Sequence, residues 1–188
     1  MLRVATVVHP RIDPTQFLAL QIAAGWRLAV ELIDGEAVVT PPAGGHAASV
    51  QGELFFALRS WQERTADQGL LLQDAFVALP GGHYLAPDIA WWSAARRPPL
   101  SHGAIEGAPD LVIEVLSPAT RANDLGIKRE LYVSSGVREM WLADPDARAI
   151  TRAHGRSGDE DVLGEGEVLR SELLEGFALD IARAFQAT

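Results

Sequence analysis

The segment Pro109-Asp110-Leu111-Val112-Ile113-Glu114-Val115-Leu116-Ser117-Pro118 constrains the fold more than any other part of the chain. From Leu111 to Leu116 it is the most apolar short run in the sequence, with a proline near each end. A run of that length, built from Leu, Val and Ile, predicts a central strand buried on both faces. Its single charged interior residue is Glu114. Side chains alternate along a strand, so Asp110, Val112 and Glu114 project to one face. An ionised carboxylate there is costly unless something compensates it, and a divalent metal or a lysine is the usual compensation.

The flanking sequence predicts a single mixed α/β domain over residues 1–188, a central sheet flanked by helices. Residues 2–9 read as a short strand or an arm. Asp13-Pro14 opens a helix that stops near Gly25, and Trp26–Ile33 with Glu36–Val39 form a hairpin around Asp34-Gly35. Helical spacing of Val50, Leu54, Leu58 and Trp61 predicts a long helix from His46 to about Asp67. Strands follow over Leu70–Leu79 and Pro87–Trp92, with a turn at Pro80-Gly81-Gly82 and a loop over Ser93–Gly107. A helix over Asp124–Ser135 leads to strands at Glu139–Ala143 and Ala149–Ala153. Gly155–Asp161 reads as a polar loop, and Val168-Leu169 and Phe177–Ile181 as closing edge strands.

Composition excludes several classes. There is no cysteine, so disulfides, thiolate metal sites and cysteine nucleophiles are absent. No apolar run reaches the roughly 20 residues that span a bilayer, and no secretory leader is visible, so the expected setting is the cytoplasm with no membrane contact. The net charge of −9 opposes extended contact with polyanions on average, yet suits a cation site made of carboxylates. Ser117 lacks a nucleophile elbow, and no glycine loop carries the lysine of a phosphate-binding motif.

Two further features bear on Glu114. Asp88, like Asp110, follows a proline at the start of an apolar strand. Lys128 lies on the next helix, four positions after Asp124 and on the same helical face, where a right-handed return brings it over the strand's carboxylates. Two or three carboxylates with water suit Mg²⁺, with Mn²⁺ as a substitute, and a lysine ammonium adds stabilisation of charge on a phosphoryl oxygen.

The segments Val30–Glu36, Pro87-Asp88, Pro109–Pro118, Asp124 with Lys128, Gly136, Glu139–Pro145 and Gly176–Asp180 occur in the order seen in one family. Together they resemble the Uma-two family of restriction-endonuclease-like proteins, from about residue 14 to residue 182. That family is similar to the PD-(D/E)xK nucleases. The resemblance implies a restriction-endonuclease-like core with an N-terminal helix and hairpin, acting on nucleic acid, DNA above all, with Mg²⁺. It implies that Asp88 and Glu114 hold the metal, with Asp110 as a further ligand, and that Lys128 replaces the usual lysine, whose position is taken by Leu116. It also puts Glu31 and His46 at the cleft.

Plainer readings stand beside these. Asp88 and Asp110 at strand starts can serve only to satisfy backbone N–H groups. Glu114 can form a buried pair with Lys128, and the core can then be a non-catalytic binding or assembly module. Asp124 and Lys128 can be an exposed helix pair, His46 a helix-start residue, and Glu31 an arginine partner across the hairpin. Trp91 and Trp92 point to opposite faces, with core packing or base stacking open to each. Exposed tryptophans and apolar terminal strands lead to the expectation of a homodimer.

Overall fold

The computed structural model describes residues 11–26, 29–39, 42–100, 102–155 and 157–186, so the expected arm over residues 2–9 lies outside it. Helix α1 (Pro14–Ala23) starts where expected, with Asp13 accepting a hydrogen bond from Thr15 N at 2.8 Å. β1 (Val30–Ile33) and β2 (Glu36–Val39) make the hairpin, and the turn residues Asp34 and Gly35 both have positive φ, 51° and 77°. Helix α2 (Gly45–Thr65) buries Val50, Leu54, Leu58 and Trp61. Fully burying each such leucine or valine is worth about 1.5–3 kcal/mol relative to exposure.

The stretch Leu70–Leu79 is not one strand. It divides into β3 (Leu70–Gln73) and β4 (Val77–Leu79), which belong to different sheets. The polar break at Gln73-Asp74 carries the crossover, and Asp74 turns the chain with φ 49°. β5 (His83–Leu85) and β6 (Ile89–Trp92) follow, then a 3₁₀ turn (Ala94–Arg96), β7 (Ile105–Glu106) and β8 (Leu111–Val115). The expected helix over Asp124–Ser135 is likewise two: α3 (Arg121–Leu125) and α4 (Ile127–Ser135), separated at Gly126. A Cβ on Gly126 would stand 2.9 Å from the carbonyl oxygen of Ala122, so the break requires glycine. The rest comprises β9 (Glu139–Asp144), β10 (Ala149–His154), β11 (Glu160–Leu163), β12 (Val168–Leu169), β13 (Leu179–Asp180) and α5 (Ile181–Ala184). β11 takes up part of the expected polar loop.

A six-stranded sheet, ordered β11-β10-β9-β8-β6-β3, forms the centre, and a five-stranded sheet, β2-β1-β5-β4-β7, packs beside it. β8 lies between β9, to which it runs parallel, and β6, antiparallel. Leu111, Ile113 and Val115 face the core shared with α2, while Val112 and Leu116 face the core that contains Tyr132 of α4. The strand is therefore buried on both faces, as its composition predicts.

Trp91 and Trp92 pack into these two separate cores and are only 3% and 1% exposed. Their ring N–H groups donate to Asp67 Oδ2 and the Gly107 carbonyl. Neither ring is open to a base or a partner, so the tryptophan ground for a homodimer is removed. No described helix is long and apolar enough to cross a membrane.

Gly69, just before β3, leaves no room for a side chain. A Cβ there would lie 2.6 Å from the Trp92 carbonyl oxygen and 2.5 Å from the Trp91 ring nitrogen. Gly69→Ala is expected to destabilise the fold by about 1–3 kcal/mol, read as a lower denaturant midpoint at unchanged m-value.

Candidate active site

The register of β6 on β8 pairs Ile89 with Ile113, so continuing it by one residue sets Asp88 opposite Glu114. Cross-strand partners project to the same face, which here is the α4 side. Glu114 is 3% exposed, inside a strand that has nothing but apolar neighbours. Its compensation comes from the following helices. Lys128 Nζ stands 2.8 Å from Glu114 Oε1, 3.2 Å from Glu31 Oε1 and 3.3 Å from Asp124 Oδ1. The Tyr132 hydroxyl donates to the same Glu114 Oε1 at 2.7 Å. One ammonium thus faces three buried carboxylates, brought together by β1, β8 and α3.

Asp88 and Glu114 are tied to protein donors through one oxygen each, and Glu31 is anchored at the strand end. Asp88 Oδ2 accepts from Val115 N at 2.6 Å, and Glu31 Oε1 accepts from Ala86 N at 2.7 Å. Glu114 uses Oε1 for both Lys128 and Tyr132. Among the described residues, Asp88 Oδ1 and Glu114 Oε2 receive no hydrogen bond. Asp124 Oδ1 is buried without a hydrogen bond and faces only the ammonium charge. Gln51 of α2 donates to Asp74 Oδ1 at 2.9 Å and to the Asp88 carbonyl at 3.1 Å, joining the crossover to the start of β6.

Burial dominates the proton affinities here, and the excess of acids over the one cation adds to it. Burial raises the Asp88 carboxyl to about 6, against the lowering influence of the Val115 N–H and Lys128. Burial also drives Glu114 well above the ordinary range; Lys128 opposes this, while Asp88, Asp124 and Glu31 add to it. For Lys128, burial disfavours the ammonium, but Glu114, Glu31 and Asp124 together outweigh it and raise its pKa. The lysine stays protonated and the acids compete to stay ionised.

These groups form the floor of a cleft of about 330 Å³. Its walls include Trp26, Phe76, Ala43 and Ala47, with Ser117 and Thr120 at one side. Among the described residues no three His, Cys, Asp or Glu side chains are grouped closely enough to cage an ion by themselves. The donor chemistry still fits Mg²⁺, which is commonly held by one or two carboxylates, waters and substrate phosphate. Asp88 and Glu114 each offer an uncommitted oxygen toward one cleft.

Asp110 requires correction as a metal ligand. It shares the face of Glu114, but strand residues four apart lie roughly 13 Å from each other. It does not line the cleft. Its Oδ1 is 2.5 Å from Arg96 and 3.4 Å from Arg138, and its Oδ2 accepts from Ser93 N at 2.8 Å. Although burial acts the other way, the Ser93 N–H and the Arg96 guanidinium hold Asp110 below the usual carboxylate range. It is a structural anchor. His46 is also corrected: it is exposed in the first turn of α2 and is absent from the cleft wall, where its neighbour Ala47 stands. Glu31 does line the cleft, where it faces Lys128.

Sequence reasoning missed Tyr132, Asp74, Gln51, Trp26 and Phe76. Tyr132 had a usable signal, since Asp124, Lys128 and Tyr132 repeat at intervals of four and so share a helical face. Another buried acid, Glu139, is raised by burial but accepts from Trp141 Nε1 at 2.6 Å and Ser171 Oγ at 3.0 Å. Its oxygens are both occupied.

Removing the ammonium leaves Glu31, Glu114 and Asp124 crowded without a counter-charge. Lys128→Met is expected to cost about 3–5 kcal/mol at pH 7, measured by denaturant unfolding. A second expectation concerns pH. The folded state binds a proton at Asp88 more tightly than the unfolded chain, between the ordinary 3.8 and about 6. This contribution is favourable at the acidic side and is lost as pH rises through that window. Without added metal, Asp88→Asn should therefore flatten the fall in melting temperature between pH 4 and 6.

Comparison with known proteins accords with this architecture. No curated protein matches the sequence significantly. A solved structure from Anabaena variabilis ATCC 29413, described as "a putative nuclease belonging to DUF820", superimposes with a TM-score of 0.79 at 23% identity. The match covers 93% of this chain and 98% of that one, and establishes a shared fold. The family model Uma2, described as "Putative restriction endonuclease", matches residues 14–182. The chain belongs to the Uma2 family.

Proposed function

We propose that the cleft hydrolyses phosphodiester bonds in DNA with Mg²⁺, in the manner of PD-(D/E)xK nucleases. The observation that carries this reading is the pairing of Asp88 with Glu114 across adjacent strands, each with one oxygen uncommitted, beside a clamped lysine. Family membership supports a nucleic-acid substrate. Asp88 and Glu114 would hold the ion. A bound Mg²⁺ supplies Lewis-acid polarisation of the phosphoryl oxygen and a more acidic water.

The chain's own groups divide the remaining work. Lys128 remains charged, so it acts as a fixed positive charge behind the carboxylates that face the phosphoryl group, and not as a base. Tyr132 and Lys128 hold Glu114 by Oε1, which fixes the direction of Oε2. The Val115 N–H does the same for Asp88 through Oδ2. Asp74 and Gln51 brace the start of β6. Hydrolysis adds water across one P–O bond, giving a phosphomonoester and a free hydroxyl.

A second reading has its own support. Lys128 is already engaged by three carboxylates, as in a closed ionic network that serves only to specify the fold. The two readings differ in their response to metal. Mg²⁺ or Mn²⁺ should raise the melting temperature of the native protein and support cleavage of a DNA panel. Asp88→Asn should abolish the thermal shift, and Glu114→Gln should reduce cleavage by at least ~100-fold. Identical melting curves with and without metal, together with cleavage no greater than that of Glu114→Gln, would leave only the structural network.

A further inference from the structure

The cleft has a wall that phosphodiester hydrolysis does not require. Trp26 follows α1 and packs its ring on Phe76, with centroids 5.4 Å apart at 55°. Phe76 comes from the crossover between β3 and β4, two residues beyond Asp74, which also lines the cleft. Both rings are half-buried and both line the cleft. Trp26 is held in place: its backbone N–H donates to the Gln21 carbonyl at 2.8 Å, and its ring lies so close to Gly103 that a Cβ there would approach within 3.1 Å. Ser117 Oγ and Thr120 Oγ1, 3.0 Å apart, add neutral hydroxyls on the same cleft.

Charge is arranged differently. Among the described cleft residues Lys128 is the sole lysine or arginine, and three carboxylates already neutralise it. The chain as a whole carries −9. Duplex DNA presents one phosphate charge per about 1.7 Å of axis and is held chiefly by cations that neutralise several of them. The described residues of the cleft offer no such row. What it offers is an aromatic surface of the kind on which an unpaired base stacks, in a volume suited to a small ligand.

Resting on the nuclease reading, we propose that the substrate is an unpaired nucleotide of a single strand, whose base stacks against Trp26 and Phe76 while its phosphate reaches the Asp88–Glu114 floor. Ser117 and Thr120 donate to the phosphate oxygens. Strand selection then follows from the wall: a paired base cannot leave its stack without a cost of a few kcal/mol, whereas a single strand supplies one freely.

Tryptophan emission provides a test independent of cleavage. The other four tryptophans are no more than 3% exposed, so iodide-accessible emission reports on Trp26. The full chain is titrated in Ca²⁺ with a short oligothymidylate and, separately, with a blunt hairpin duplex. The single strand should quench Trp26 and shield it from iodide, and the duplex should do neither. Trp26→Leu should weaken single-strand affinity about tenfold, and Trp26→Phe should restore most of it. Phe76→Leu should weaken binding without removing the Trp26 signal. Equal binding of duplex and single strand, or unchanged affinity in folded Trp26→Leu, overturns the base wall. If the duplex is also cut in Mg²⁺, the nuclease reading survives that loss. Single-strand binding with Trp26 quenching but no metal-dependent cleavage upholds the wall and removes the hydrolysis. Absence of any binding or cleavage removes both.

Discussion

The ammonium of Lys128 holds the molecule together at the point where its two larger sheets meet. It contacts Glu114 from the central sheet, Glu31 from the second sheet and Asp124 from α3, all of them buried. Separately, each of these acids would be costly to enclose; around one cation they become a joint between three layers. Among the described residues of the cleft, the acids outnumber the one cation. Burial raises the proton affinity of Asp88 and Glu114, and the neighbouring acids add to it.

Much of this was legible before the structure. Glu114 announced itself as the lone acid in an apolar strand, and its lysine was identifiable from the helical interval between Asp124 and Lys128. Both signals are local, and local periodicity is what sequence reveals most directly. The failures arose where local pattern says nothing about distance or sheet membership. Asp110 shares the face of Glu114 by alternation, yet lies at the other end of the strand beside Arg96 and Arg138. Those arginines come from distant parts of the chain, so no spacing rule connects them to it.

The same limit explains the split elements. Leu70–Leu79 is continuous enough to read as one strand, but Asp74 bends it from one sheet into the other. Gly126 breaks the predicted helix, yet Asp124 and Lys128 still meet across the break at 3.3 Å. Phe76 and Trp26 were invisible as a pair because only the crossover brings them together. Trp91 and Trp92 looked available for stacking, and the presence of cores on both sides of β6 is what removed them.

β8 has two unlike ends. At Asp110 the carboxylate is surrounded by guanidinium groups and a backbone N–H, and its charge is fully answered. At Glu114 the acids outnumber the one cation. The strand behaves as a cantilever, clamped at its root and electrically loaded at its tip. Mutual repulsion among the acids is resisted by the ladder to β9, which runs from Leu111 through Val115, as well as by the anchored root at Asp110. A sequence can then change the residues at the tip, and with them the chemistry, while the clamp continues to keep the beam in place.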